Sequence, residues 1–435
     1  MPIEELLSAT SAASLVDRNP TVTRAHVPEP TAGADGLRIA KCPACGHNVA
    51  SPFYDGGKKP LAMIAWPTSA REAREMPRLP LDYVCCLDCS HVYNASFTYE
   101  AVPYAAKPNM MYNRGAIWSE FLRELRDKML AFLPQRPTVI EIGHGDGHFL
   151  GGLAERRPSG RYIGFDPHGA REMPHASVEL RPALFNPLVD IPRVQPDLIV
   201  SRHVLEHLIN PLEILQAINI AAAWTGRPIH LLIEVPCADK ALEYGRLNDF
   251  YFEHYSQFTT KSFHQMLVRA QFEIQTIGHA YDGEVVYGLL NTSTRSEHLL
   301  RLRSSLAFRA AAQKAPATMD RQLSRLHASG KKIAIWGGVG KSSAFLNIYK
   351  LDAERFPLVV DSDRAKAGTF VPGTGQQIQH CTVLQSESVD MIFIGAQWRA
   401  KDIVREIGTM GLSAEIILEH EGVLVDYFTG NHPYR

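Results

Sequence analysis

TVIEIGHGDGHFL, Thr138 to Leu150, runs from an apolar segment, Val139 to Ile142, through Gly143, Gly145 and Gly147 to Phe149 and Leu150. A buried parallel strand that turns tightly into a helix has this form. Glycines at the turn let a ligand approach the backbone without meeting Cβ atoms. In the dinucleotide pattern G-x-G-x-x-G the third glycine would stand at His148, which counts against a pyrophosphate at this turn. Glu141, just ahead of the glycines, suits a ligand with a cationic end.

The surroundings extend the pattern. Tyr162 to Asp166 reads as a second strand ending in an acid, where a carboxylate can take both hydroxyls of a ribose. Asp197 to Ser201 reads as the next inner strand, and RHVLEHLINPLEIL carries His203, Glu206 and His207 toward the carboxyl end of the sheet, where open α/β sheets bind ligands. The E-x-G-x-G sequence resembles the first motif of class I S-adenosylmethionine (SAM) methyltransferases. That resemblance implies SAM as cofactor, with Glu141, Gly143, Gly145, Gly147, Asp166 and His203 as its binding residues. A nicotinamide-type Rossmann domain is the competing assignment, and His148 speaks against it.

At 435 residues the chain predicts two or three domains, since single cores seldom exceed roughly 250 to 300 residues. Apolar content of 45% and charged content of 21% are ordinary for a globular protein. A formal net charge of −1 carries no footprint for nucleic acid or an acidic membrane surface, so neither is an expected partner. No run reaches the ~18 apolar residues of a membrane span, and the opening MPIEELLSATSAASLV lacks a basic leader region, so a cytoplasmic location is expected.

Five of the seven cysteines fall between Cys42 and Cys89. Cys42-Pro-Ala-Cys45 and Cys86-Leu-Asp-Cys89 each place two thiolates on one tight turn, and soft ligands in two such knuckles fit tetrahedral Zn²⁺. A closed set of Cys42, Cys45, Cys86 and Cys89 leaves no open position, so the expected metal is structural. Cys85 rivals Cys86, yet only Cys86 gives the C-x-x-C spacing with Cys89; a thioredoxin-type redox pair would want one motif, not two.

The motifs together resemble a family. A double-knuckle segment containing PLDYVCCLDCSHVY, the glycine turn, RHVLEH, the strand Leu231 to Pro236 containing IEVP, a Tyr-x-Glu-His segment, and a later GGVGK with VVDSDRAKAGTFVPGTG occur in the order seen in bacterial sugar C-methyltransferases. The resemblance covers roughly residues 40 to 425. It implies an α/β architecture of three parts: a small N-terminal zinc-binding module, a class I SAM methyltransferase Rossmann-like domain, and a second Rossmann-like C-terminal domain. It also implies a nucleotide-linked 4-keto-deoxysugar, of the kind found in antibiotic and surface-polysaccharide pathways, as acceptor.

Candidate catalytic residues follow from the same comparison. Tyr251, Glu253 and His254 match the family's Tyr-x-Glu-His pattern, and Tyr104 is the best match for a connector tyrosine that enters the family's active site. Methyl transfer to carbon needs a carbanion equivalent, which a ketone supplies when the adjacent C–H loses its proton. A neutral imidazole, with an ordinary pKa of about 6.5, serves as the base, and a phenol can donate to the enolate oxygen. His254 is the candidate base, and Tyr104 or Tyr251 the donor; Glu253 would orient His254 or hold a substrate hydroxyl. Phe185 and Asn186 are weaker candidates for lining an adenine site.

Expected domains are a flexible extension over 1–38, the zinc module over 39–97, the SAM domain over 98–290, a helical connector over 291–330 and the C-terminal Rossmann-like domain over 331–435. Apolar positions Ile117, Phe121, Leu122, Leu125, Met129, Leu130 and Phe132 predict a helix from Ala116 to Leu133; the connector reads as two helices broken near Ala315-Pro316. Gly337 to Ser343 nearly spells a P-loop, but Ile335 stands where its first glycine belongs; such a turn takes a sulfate, a phosphate or nothing. Two alternatives to a C-methyltransferase are an N- or O-methyltransferase of another small metabolite and a non-catalytic SAM-binding interaction protein. The family pattern implies a monomer or dimer acting on a small molecule.

Overall fold

The structure is a computed structural model that describes residues 36–63, 66–103, 115–172, 175–293 and 297–435. Tyr104 and most of the 1–38 extension lie outside the described residues. The chain forms two compact units that divide between Leu299 and Leu300. Among the described residues no helix is long and apolar enough to cross a membrane.

The first unit begins with an antiparallel sheet of β1 (Arg38–Ile39), β2 (Val49–Lys59), β3 (Leu79–Cys86) and β4 (Val92–Asn94). The two cysteine knuckles lie where β1 turns toward β2 and where β3 turns toward β4. Next come the parallel strands β5 (Thr138–Ile142), β6 (Arg161–Phe165), β7 (Val178–Arg181), β8 (Leu198–Arg202) and β9 (His230–Pro236). A two-residue strand, β10 (Ser256–Gln257), then leaves this sheet and pairs with Tyr93 and Val92 of β4. The chain returns as β11 (Glu273–Ala280) and β12 (Val285–Asn291), which closes on β9 antiparallel. The resulting order is β11-β12-β9-β8-β5-β6-β7, the α/β arrangement expected of a class I SAM methyltransferase domain.

Burial on both faces explains why β5 reads as a continuous apolar run. Ile140 and Ile142 pack with Ile163 and Ile199 in one layer, while Val139 packs with Tyr162 and Leu198 in the other. The helix predicted before β5 spans Ala116–Phe132. Its buried face carries Trp118, Leu122, Leu125, Arg126, Met129 and Leu130, whereas Ile117 and Phe132 are exposed. Trp118, passed over in the apolar spacing, is thus the inward residue of the first turn.

The connector departs from expectation. One helix runs from Glu297 to Ala328 straight through Pro316. Pro316 forfeits one bond, to the carbonyl of Ala312, and the alanines around it keep helix propensity high enough to carry the gap. The second unit's sheet comprises β13 (Ile333–Trp336), β14 (Val359–Asp361), β15 (Ile378–His380), β16 (Met391–Ile394), β17 (Glu415–His420) and β18 (Val423–Asp426). Its order is β15-β14-β13-β16-β17-β18, parallel except for β18.

Candidate functional site

All three turn glycines adopt left-handed backbone, with φ of 70° at Gly143, 56° at Gly145 and 75° at Gly147. L-residues with a Cβ resist this conformation. A Cβ at Gly143 would also stand 2.3 Å from Val204 Cγ2. Asp166 lies at the end of β6, where its Oδ2 accepts from the Gly145 N–H at 3.0 Å and its Oδ1 from the His168 N–H at 2.9 Å. The carboxylate therefore braces the turn and keeps lone pairs for a hydroxyl donor. Gly143→Ala is expected to weaken SAM binding by at least about tenfold, through the left-handed penalty and the Val204 clash, as titration calorimetry would show.

Glu141 is buried, and its Oε2 has no hydrogen-bond partner among the described residues. Burial pushes its carboxyl up to about 8, against the pull of Arg202 and Arg126. His144, also buried, has both ring nitrogens without a hydrogen-bond partner among the described residues, and its ring rests where a Cβ on Gly164 or Gly169 would intrude. Unsatisfied buried polar atoms beside a glycine cradle fit a polar, partly cationic ligand such as SAM. A bound cation favours the Glu141 carboxylate, so binding should release a proton from it. SAM affinity should therefore rise with pH up to about 8, by as much as about tenfold per unit. Calorimetry in buffers of different ionisation heat, compared with Glu141→Gln, checks this; identical pH profiles for the two proteins would contradict it.

Beyond β8 the chain forms a buried charged cluster. Arg202 donates through Nε and Nη2 to Glu234 Oε1 at 3.0 and 2.8 Å, with its guanidinium 4.8 Å from the Phe149 ring centre and 5.6 Å from that of Trp118. Burial raises the Glu234 carboxyl, but Arg202 and His203 outweigh it and hold the group at about 2. His203, at φ 52°, sits between Glu234 Oε1 at 3.0 Å and Glu206 Oε1 at 3.6 Å. Burial opposes charge on this imidazole; the two carboxylates overcome that and raise its pKa. His203, read from the sequence as a cofactor contact, is held by these acids.

The Tyr251 to His254 segment lies against this cluster. His254 Nε2 is 3.0 Å from the Tyr251 hydroxyl, and the rings are 4.4 Å apart. Burial, with His207 beside it, lowers the His254 pKa to about 3, so the imidazole is neutral. The His207 ring packs edge-on to His254 at 4.9 Å, and its Nδ1–H donates to the Glu253 carbonyl at 2.8 Å. Glu253 faces the first sheet: its Oε1 accepts from the backbone N–H groups of Ala62 and Met63 at 2.8 and 2.7 Å. Those bonds tie Glu253 Oε1 to the loop that follows β2. The contact between His207 and His254 was missed in the sequence, where 46 positions part His207 from the carbonyl that orients it.

The two weaker candidates have structural contacts of their own. Phe185 packs edge-on to Phe165 at 5.3 Å. Asn186 is the N-cap of helix Pro187–Val194, its side chain accepting from the Leu188 N–H. Thr259 caps helix Thr260–Arg269 through a reciprocal pair with Ser262.

The four cysteines converge. Cys42 and Cys89 sulfurs lie 3.6 Å apart, Cys45 and Cys86 sulfurs 3.5 Å, and all four within 4.8 Å of one another. A Zn–S bond of about 2.3 Å places tetrahedral sulfurs about 3.8 Å apart, so the set fits Zn²⁺. A hydrogen bond to Cys89, burial and repulsion by neighbouring thiolates raise the Cys42 thiol, while the same bond lowers Cys89 to about 6. Ionised together at this spacing the four sulfurs would repel one another, a charge that a bound Zn²⁺ would offset. Cys85 stands outside the set, half-buried.

Comparison with known proteins assigns most of the chain to two domains. Residues 112–277 match the family model of a methyltransferase domain, and residues 283–412 that of a C-methyltransferase C-terminal domain. A tRNA (guanine-N(7)-)-methyltransferase of Hydrogenovibrio crunogenus is 39% identical over 56 residues, 12% of this chain and 23% of that protein. The chain thus spans about a quarter of the length of the curated relative it matches. Similar solved structures include a SAM-dependent methyltransferase from Aquifex aeolicus, at 13% identity over 40% of this chain and 98% of that one, with a TM-score of 0.31. Another is the plantazolicin methyltransferase in complex with SAH, at 17% identity over 42% of this chain and 87% of that one, with a TM-score of 0.31.

Proposed function

We propose that this chain, whose two matched domains make it a SAM-dependent methyltransferase, transfers the methyl group to carbon on a nucleotide-linked 4-keto-deoxysugar. The observation that carries this conclusion is the neutral, buried His254 with Nε2 3.0 Å from the Tyr251 hydroxyl. Methylation of oxygen or nitrogen starts from a lone pair already present; methylation beside a ketone starts from a C–H bond and needs a base. The motif order from Cys42 to Gly375, which resembles the sugar C-methyltransferases, supports the acceptor class.

SAM, when bound, supplies the methyl group from its sulfonium. Gly143, Gly145 and Gly147 admit it to the backbone, Asp166 takes ribose hydroxyls and Glu141 faces its cationic end. His254 Nε2 accepts the proton from the carbon next to the ketone, and the negative charge then growing on the substrate raises the affinity of His254 for that proton. The Tyr251 hydroxyl, released from His254, donates to the enolate oxygen. His207, anchored by the Glu253 carbonyl, packs against the His254 ring and fixes its direction. Cys42, Cys45, Cys86 and Cys89 hold a structural Zn²⁺.

Incubation with methyl-labelled SAM and a panel of nucleotide-linked 4-keto sugars in deuterated water tests the proposal. Label on carbon, with deuterium entering unmethylated substrate at that carbon, is the expected result. Label on oxygen or nitrogen, or SAM binding without transfer or exchange on any sugar, would overturn it.

A further inference from the structure

β9 and β11 end beside a side-chain cluster that the chemistry above leaves unused. Cys237 follows β9 directly, Asp239 opens helix Asp239–Tyr244, and His279 is the last residue but one of β11. The Cys237 sulfur, a carboxylate oxygen of Asp239 and a ring nitrogen of His279 all lie within 4.8 Å of one another. Backbone bonds fix where these side chains start. The Cys237 N–H donates to the Glu284 carbonyl and the Ala238 N–H to that of Phe258, both at 2.8 Å, while His279 pairs with Val286 between β11 and β12.

One oxygen stands among the three. The Thr260 hydroxyl donates to Asp239 Oδ2 and lies 2.7 Å from His279 Nε2 and 3.8 Å from Cys237 Sγ. With one proton and two lone pairs it can donate to the carboxylate and accept from the imidazole. Hydrogen bonding thus accounts for Asp239 and His279, but not for a cysteine 4% exposed and turned to the same point. Thiolate, imidazole and carboxylate are the ligand types of zinc, and a set of three leaves the fourth position to water. Mg²⁺ and Ca²⁺ prefer shells of oxygen. Tetrahedral zinc bonds place such donors about 3.3 to 3.8 Å apart, so closing on an ion takes at most about 1.5 Å, within reach of side-chain rotation once the Thr260 hydroxyl turns aside. Asp239 and His279 reach solvent, which gives an ion its way in.

We propose that Cys237, Asp239 and His279 form a second, open metal site that takes Zn²⁺. Three mixed ligands beside water hold an ion less firmly than four thiolates, so this site fills when zinc is added beyond what the four cysteines of the first sheet retain. It does not depend on the acceptor assigned above. Dialysis of the full chain to one zinc, followed by titration with Co²⁺, tests it. One further equivalent should bind with the near-ultraviolet absorption of a thiolate-to-cobalt bond, and Zn²⁺ but not Mg²⁺ should compete. Cys237→Ser should abolish that absorption and, like His279→Ala, weaken binding about tenfold or more, each variant melting as wild type before cobalt is added. Thr260→Ala, which frees Asp239 and His279 from the hydroxyl, should bind at least as tightly as wild type. No further equivalent up to about 1 mM, binding without the thiolate absorption, displacement by Mg²⁺, Cys237→Ser and His279→Ala chains that bind as wild type, or a folded Thr260→Ala chain that binds more weakly would each overturn the proposal.

Discussion

His254→Ala is expected to lower methyl transfer by about a thousandfold, within the range a positioned general base contributes, while SAM binds as before. The imidazole is buried and neutral, and its Nε2 lies 3.0 Å from the Tyr251 hydroxyl. Deletion therefore removes the proton acceptor and leaves the glycine turn and Asp166 untouched. Deuterium exchange into the acceptor should vanish together with transfer, because both pass through the same deprotonation. Tyr251→Phe keeps the base and should retain exchange at a reduced rate. If His254→Ala abolished transfer but left exchange intact, another group would be the base.

Removing the metal should have an effect of similar size, though no cysteine touches the chemistry. The first sheet holds the segment from Tyr251 to His254 from three directions. β4 pairs with β10 immediately after His254. The Tyr83 hydroxyl donates to the Tyr251 and His254 carbonyls at 2.8 and 3.3 Å. Glu253 Oε1 takes the Ala62 and Met63 N–H groups. Structural zinc sites contribute on the order of 10 kcal/mol or more to the fold they close, so chelation or Cys42→Ser should collapse this module and release Tyr251 and His254. The expected outcome is one zinc per chain by atomic absorption, and loss of both transfer and a thermal transition on chelation. Cys85→Ser, outside the set, should change neither. Full activity in a zinc-free chain would refute the metal assignment.

Some of this organisation was legible in the residues alone, because the physics that demands it is local. Left-handed turns need Gly143, Gly145 and Gly147 whatever surrounds them, and a C-x-x-C knuckle brings two sulfurs together within one turn. The continuous apolar run of β5, the acid at the end of β6 and the helix before β5 follow from short-range patterns. The Tyr251-x-Glu253-His254 segment was legible as a motif, but not the direction of each side chain.

Tertiary structure decided the rest, since each remaining contact joins residues far apart in the chain. Glu253 sits beside His254 in sequence but bonds to a loop 190 residues earlier. His207 reads like a cofactor-pocket histidine, yet its ring packs on His254. Pro316 is a helix breaker by local rule, but its helix continues through it. From Thr138 to Leu150, sequence alone determined a strand, a glycine turn and the polarity of the ligand, because backbone conformation and strand burial are encoded residue by residue. Which imidazole is desolvated, which carboxylate is spent on a backbone and which hydroxyl meets His254 were decided only when distant strands closed on one another, because desolvation and hydrogen bonding depend on neighbours in space.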